Sequence, residues 1–181
     1  MASIIKVDQI QTAAGGTPTA ADLGINTSGN VLQCVSTMTA QPSAHSATMS
    51  DSNLTVSITP KQVGSTIICH YSFRYGNSTA SANNVRVRIN QNGTDTFKYL
   101  SGGTSLSNPS NPLTNVAAIS SAAQMMMSMS SGCQVTTTST AQMTFTIQGK
   151  GESGTLYINN RNDNGSDCVN TGYITVMEIA G

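Results

Sequence analysis

The 181-residue chain carries eight basic and eight acidic residues, so its formal net charge is zero. Only 9% of its residues are charged, against about 25% in an average soluble domain. Neither nucleic acid nor an anionic membrane is an expected partner, because both favour clustered Lys and Arg. No apolar run approaches the roughly 20 residues of a membrane-spanning helix. The N-terminus also lacks the basic and apolar regions of a signal peptide, so we expect synthesis in a cytosol.

The first thirty residues are typical of an arm rather than of a domain. Residues 4–11 are strand-like, and a Gly-, Ala- and Thr-rich tether connects them to Asn30. The apolar positions of the strand-like segment are Ile4, Ile5, Val7 and Ile10. A single strand cannot bury such residues alone, so it must pair with the body, with sister chains or with a larger assembly. The sequence therefore predicts an anchoring arm over residues 1–30 and one domain over residues 31–181.

After Asn30 the chain breaks into short β-like runs bounded by clusters of Gly, Pro, Asn, Asp and Ser. About nine strands are predicted, at residues 31–37, 54–59, 66–74, 85–91, 96–100, 116–129, 142–150, 155–160 and 173–179. Asn92-Gly93 is a predicted turn, and Pro60 is expected to end the strand before it.

The alternation of apolar and polar residues indicates strands with one buried face. Met143, Phe145 and Ile147 alternate with polar neighbours in this way. Residues 116–129 are rich in Ala and Met, which suits a helix, but the methionines at every second position favour a strand. Many short strands without a helix predict an all-β fold, an antiparallel jelly-roll sandwich with an extended N-terminal arm.

The four cysteines, Cys34, Cys69, Cys133 and Cys168, lie far apart and form no C-x-x-C motif, so no zinc site is expected. Cys69 alternates with Ile67, Tyr71 and Phe73, which places it on an apolar strand face. Buried free thiols are the expectation. Whether any of the cysteines pair stays open at this point.

No enzyme motif occurs in the chain, and no cofactor is expected. Its two histidines have no partner motif: His45 lies in a Ser-, Thr- and Ala-rich loop, and His70 lies within a predicted strand. We expect them in a solvated loop or in an interface hydrogen bond rather than in catalysis.

Two groups of residues are candidates for binding. Met125, Met127 and Met129, with His70, suit an apolar seam between identical subunits, and the chain's own core is the alternative. Tyr157, Asn159, Arg161 and Asp163 lie in or near an Asx-rich loop that can offer hydrogen bonds to a glycan. The alternative is a solvated loop. The same loop does not fit a calcium-binding EF-hand, because Ile174 stands where the bidentate Glu is required.

The N-terminal segments resemble a known group of proteins. Residues 5–11 (Ile-Lys-Val-Asp-Gln-Ile-Gln), the tether at residues 15–24, and residues 28–33 (Ser-Gly-Asn-Val-Leu-Gln) are similar to the N-termini of virion structural and fibre-like proteins of tailed bacteriophages, especially marine and cyanobacterial ones.

The body continues the resemblance. Residues 54–60, 154–159 and 173–179 look like the jelly-roll knobs of those proteins, which are similar in architecture to the trimeric C1q and tumour-necrosis-factor type. The chain departs from full-length tail fibres because no long repetitive shaft separates its arm from its knob.

The resemblance implies a non-enzymatic homotrimer on the virion exterior, made in the cytoplasm of a bacterial host. Its expected role is a capsid decoration (cement) protein or short head fibre, docked through the arm onto the major capsid protein or another virion protein. The alternative is a tail fibre or tail tip protein that binds a glycan receptor on the host surface. The sequence leaves open the location on capsid or tail.

Overall fold

A computed structural model describes residues 15–18, 28–78, 84–92, 114–117, 126–151, 154–161 and 169–181. These residues form ten β-strands and no helix. The strands are β1 (Val31–Thr39), β2 (Ser43–His45), β3 (Ser50–Ile58), β4 (Thr66–Asn77), β5 (Asn84–Gln91), β6 (Thr114–Ala117), β7 (Met127–Thr136), β8 (Met143–Gly151), β9 (Leu156–Ile158) and β10 (Gly172–Ile179). The predicted all-β class is confirmed.

The strands form two antiparallel sheets packed as a sandwich. Sheet 1 contains six strands in the order β1-β10-β4-β9-β2, and β7 pairs with β4. Sheet 2 contains four strands in the order β3-β8-β5-β6. Along the chain, β1, β3, β4 and β5 alternate between the two sheets, and β6, β7, β8 and β10 alternate between them again.

In sheet 1, two strand positions are each occupied by a long strand and a short strand with a break between them. β10 and β9 both pair with β4, at residues 66–72 and 75–77 respectively. β1 and β2 pair in turn with β10 and β9. The breaks, after Thr39 and after Ile158, therefore lie beside each other at one place in the sheet.

The core is built from the inward-facing residues of both sheets. β4 contributes Tyr71, Phe73 and Tyr75, each at most 2% exposed. The Tyr71 and Phe73 rings stack with their centroids 5.6 Å apart, and the Phe73 and Tyr75 rings meet edge to face at 6.5 Å. From sheet 2, Phe145 and Ile147 close the other side. Full burial of one such side chain contributes about 1.5–3 kcal/mol.

Local sequence signals explain many of the strand ends. β3 ends at Ile58, two residues before Pro60, whose ring removes a backbone donor. β5 ends beside Asn92, which has a positive φ of 52° as the predicted Asn-Gly turn requires. The chain enters β1 next to its own C-terminus, because Gly29 N donates to Ala180 O at 2.9 Å.

Two strand predictions differ from the structure. The predicted strand at residues 116–129 is divided between two sheets, because β6 ends at Ala117 in sheet 2 and β7 begins at Met127 in sheet 1. β7 continues to Thr136 because it pairs with β4 from Tyr75 to Thr66, and such long-range pairing leaves little trace in local composition. The short strand β2 was also missed, since it lies in a Ser- and Ala-rich stretch. The predicted strand at 96–100 and the arm residues 1–14 and 19–27 lie outside the described residues.

Candidate interaction surface

The outer face of sheet 2 is covered by polar side chains that bond to one another across β3 and β8. The bonded pairs are Thr55 with Thr146 (2.9 Å), Ser57 with Thr144 (2.8 Å) and Gln148 with Asp51 (2.6 Å). From β5, Arg88 Nε also donates to Gln148 Oε1 at 2.6 Å. Cross-strand polar pairs of this kind stabilise a sheet and leave its surface hydrophilic.

The outer face of sheet 1 carries large apolar side chains between its polar ones. Strand alternation points them away from the core. They are Cys34 and Met38 of β1, Ile68 of β4, and Tyr173, Met177 and Ile179 of β10. Met38 is 70% exposed and Tyr173 is 36% exposed, and these two residues are paired directly across the strands. We call this set the sheet 1 outer face.

His70 lies on the same face, in the central strand β4. Its Nε2 lies 3.0 Å from Ser130 Oγ, and its ring centroid lies 5.8 Å from that of Tyr173. Its side chain is half-buried within the chain. His70 thus has a hydrogen-bond partner within its own chain, and its predicted place in a subunit interface stays a prediction.

The methionines predicted to form an apolar seam between subunits do not share one environment in the structure. Met129 is 4% exposed and packs in the chain's own core, which was the alternative. Met127 is half-buried, and its sulfur accepts a hydrogen bond from the Tyr75 hydroxyl at 3.4 Å. Met125 lies outside the described residues. Sequence reasoning missed Met38 and Met177 as surface methionines, although strand alternation against Val35 and Val176 could have found them.

The predicted glycan residues gather at the breaks in sheet 1. Asn159 is fully buried and has a positive φ of 60°. Its Nδ2 donates to Thr39 O at 3.0 Å and its N donates to Arg74 O at 2.7 Å, so it ties both breaks to β4. A side chain without exposed surface is not placed to contact a sugar. The glycan hypothesis therefore depends on Tyr157 and Arg161, which are half-buried. Asp163 lies outside the described residues.

Glu178 of β10 is a buried carboxylate held by hydrogen bonds at the end of sheet 1. It is fully buried, and it accepts hydrogen bonds from Ser65 Oγ (2.6 Å), Gln33 Nε2 (2.6 Å) and the Lys61 backbone N (2.9 Å). Burial alone would raise the pKa of Glu178, but these bonds together hold the pKa below its ordinary value. The carboxylate thus fastens β1 and the β3–β4 connection to β10.

His45 occupies the buried end of β2, not a solvated loop. It is 1% exposed, and its two ring nitrogens each lie 2.8 Å from a serine hydroxyl, that of Ser50 at Nδ1 and that of Ser43 at Nε2. Burial lowers the pKa of His45, and the charge of Asp51 opposes part of this effect. The prediction that His45 lies in a solvated loop is wrong, because β2 pairs with β9 and His45, at the end of β2, is buried.

In the part of the chain that the structure describes, no three His, Cys, Asp or Glu side chains cluster as metal ligands would. The described residues also include no helix that is long and apolar enough to cross a membrane. No protein-family model matches the chain, and no curated protein matches it. Its surfaces are therefore the main guide to function, and the two sheet faces differ most clearly.

Proposed function

We propose that the protein is a non-enzymatic structural component of a bacteriophage virion, whose copies associate through the sheet 1 outer face. The observation that carries the proposal is the contrast between the two faces. One face satisfies its polar groups internally, whereas the other exposes Met38 and Tyr173. Exposed apolar groups gathered on one face are typical of protein–protein contact sites.

We favour a homotrimer, in which three copies of the chain associate through this face. The sheet 1 outer face has flexible thioethers and an aromatic ring but no described charged residue near its centre, which suits a partly apolar interface core. The number three comes from the resemblance to jelly-roll knobs. The alternation of strands between the sheets supports that jelly-roll topology.

The arm supplies the attachment in this proposal. Three arms on one trimer raise the effective concentration of each, so modest contacts by residues 4–11 add to durable docking on a capsid protein or another virion protein. The proposed role is a capsid decoration protein or short head fibre on the virion exterior. Gly29 N donates to Ala180 O, so the chain enters the sandwich beside Ala180, and we expect this end of the sandwich to face the anchor.

The first experiment tests the association face with a matched pair of variants. Met177→Asp places a charge on the outer face of sheet 1, and Thr146→Asp places one on the outer face of sheet 2; both residues are half-buried in interior strands. Sedimentation equilibrium should find a trimer for the wild type and for Thr146→Asp. Met177→Asp should weaken association by roughly 30-fold or more, as loss of a central contact does.

A monomeric wild type at micromolar concentration would contradict the proposal, as would equal effects of the two charges. Circular dichroism of both variants controls for folding.

The second experiment tests attachment. Removal of residues 1–11 should leave a trimer by sedimentation that no longer binds particles lacking the protein. If the shortened trimer still decorates particles, the arm is not the anchor, although the face can still be the trimer contact.

A glycan-binding tail protein remains the second candidate, because Tyr157 and Arg161 are half-buried rather than fully enclosed. Binding of the protein to a glycan array, lost in both Tyr157→Ala and Arg161→Ala, would favour it over the decoration protein.

A further inference from the structure

Two of the cysteines face each other across the longest strand pair of sheet 1. In the register of β4 with β7, Cys69 lies directly opposite Cys133. Both side chains point into the core, with exposures of 0% and 1%. The sequence leaves open whether these residues pair, because 63 residues separate them and no local motif joins them.

The register brings the two Cα atoms within the separation that a disulfide requires. Directly opposed residues of an antiparallel pair have Cα atoms about 4.5 or 5.5 Å apart, depending on the hydrogen-bonding position. Disulfides form at Cα separations of about 4.4–6.8 Å, so either position lies within reach. By contrast, Cys34 is exposed on β1 and faces Met177, which cannot pair with it.

We propose that Cys69 and Cys133 are a site of oxidative cross-linking, and that they form an intrachain disulfide when the chain meets a small-molecule disulfide. One thiolate attacks the reagent and forms a mixed disulfide, releasing one small thiol. The second thiolate then attacks the mixed disulfide and releases the other small thiol. The protein loses two electrons and two protons, and the reagent is reduced to two thiols.

The position of the pair determines when this reaction is fast. The neighbouring Cys133 thiol and burial together raise the pKa of the Cys69 thiol, so the folded chain offers little thiolate. Oxidation should therefore be slow in the folded protein and fast during refolding, when the thiols are still accessible to the reagent. Once formed, the bond is shielded from reductants by the same burial.

The cross-link would tie the edge strand β7 to the central strand β4 and close the long connection between them. A bond that closes a long loop stabilises a fold mainly by restricting the unfolded chain. We expect the oxidised protein to melt at least about 5 °C above the reduced protein.

Trypsin provides a clean test, because each cysteine falls in a different tryptic peptide. Full-length protein is refolded with oxidised and reduced glutathione, alkylated, digested and mapped by mass spectrometry without reduction. Peptide 62–74 should be linked to peptide 99–150, at the sum of their masses less two hydrogens. Native protein exposed to the same reagent should form this link much more slowly.

Three variants complete the test. Cys34→Ser should keep both the linked peptide and the rise in melting temperature, whereas Cys69→Ala and Cys133→Ala should lose both. Full alkylation of peptides 62–74 and 99–150 after oxidative refolding would overturn the proposal. A dominant link that involves Cys34 or Cys168 would overturn it equally. If an alanine variant fails to fold, the peptide map of the wild type decides alone.

Discussion

The two sheets of this sandwich are both antiparallel but differ in their chemistry. Sheet 2 follows plain alternation, with β3 and β8 apolar inside and a ladder of bonded hydroxyl and amide groups outside. Sheet 1 has two broken strands, a buried carboxylate and a partly apolar outer face. One sheet is therefore complete within a single chain, and the other presents a surface that a neighbour can cover.

Polar groups contribute differently to the stability of the two sheets, because they are exposed on the outer face of sheet 2 and Glu178 is buried in sheet 1. On sheet 2 each polar pair is exposed and individually weak, about 0.2–1 kcal/mol. In sheet 1, by contrast, the Glu178 carboxylate is buried, and its loss would leave its hydrogen-bond partners unsatisfied. Changes in sheet 1 should therefore cost more than chemically similar changes in sheet 2.

The largest expected effect is that of Glu178→Gln. Glutamine removes the negative charge that the three hydrogen-bond donors stabilise. Its NH2 group also faces these donors, where an acceptor is needed. We expect the free energy of unfolding to fall by about 2–4 kcal/mol, as measured by urea denaturation at fixed protein concentration. Asp51→Asn, on the outer face of sheet 2, is the matched control and should change it by less than about 1 kcal/mol.

Glu178→Gln should also change how the free energy of unfolding depends on pH. The pKa of Glu178 is lowered in the folded state, so its contribution is complete above the unfolded pKa of about 4.3. The contribution is lost as the pH falls from there through the folded pKa. The wild type should lose more stability than Glu178→Gln over this acid range. Parallel curves would contradict the role assigned to the carboxylate.

Gly172→Ala should produce the next largest effect, at the breaks in sheet 1. A Cβ at this position would lie 2.6 Å from Asn159 Oδ1 and 2.9 Å from Phe73 Cβ. Both neighbours are buried, so the overpacking should cost about 1–3 kcal/mol. Thr146→Ala is the sheet 2 control and should cost less than about 1 kcal/mol. Equal melting temperatures for the two variants would show that the breaks tolerate rearrangement.

The smallest effect is expected where the two sheets meet, at His45. Because burial lowers its pKa, the unfolded chain binds a proton more readily than the folded one below about pH 6.5. The free energy of unfolding should therefore decrease as the pH falls from 6.5, before Glu178 begins to titrate. His45→Gln should reduce this slope and cost about 1–2 kcal/mol at neutral pH.

Thr146→Ala serves as the control for the His45 experiment, since Thr146 carries no titratable group and lies on the outer face of sheet 2. It should retain the slope that His45→Gln loses. If both variants behave alike in urea titrations between pH 7.5 and 5, the buried position of His45 does not control the acid response.

Much of the fold was predictable because its signals are local. The alternation through Met143, Phe145 and Ile147 and the positive φ of Asn92 both agree with the structure. The prediction of one strand at residues 116–129 was wrong, because a Met- and Ser-rich stretch has no strong secondary-structure preference of its own. The pairing of β7 with β4 decided where β7 begins and ends. The candidate surface was predicted only in part: His70 lies on it, whereas Met129 turns into the core.

The sequence by itself determined the all-β class, the apolar face of β4 and the polar character of the surface, because strand periodicity and composition are properties of neighbouring residues. Only the tertiary structure decided what lies together across long separations. It placed Cys133 opposite Cys69, enclosed Glu178 among donors from β1 and the β3–β4 connection, and gathered Met38, Tyr173 and Met177 on one face. Such contacts depend on strand order and register, which the packing of the whole sandwich fixes.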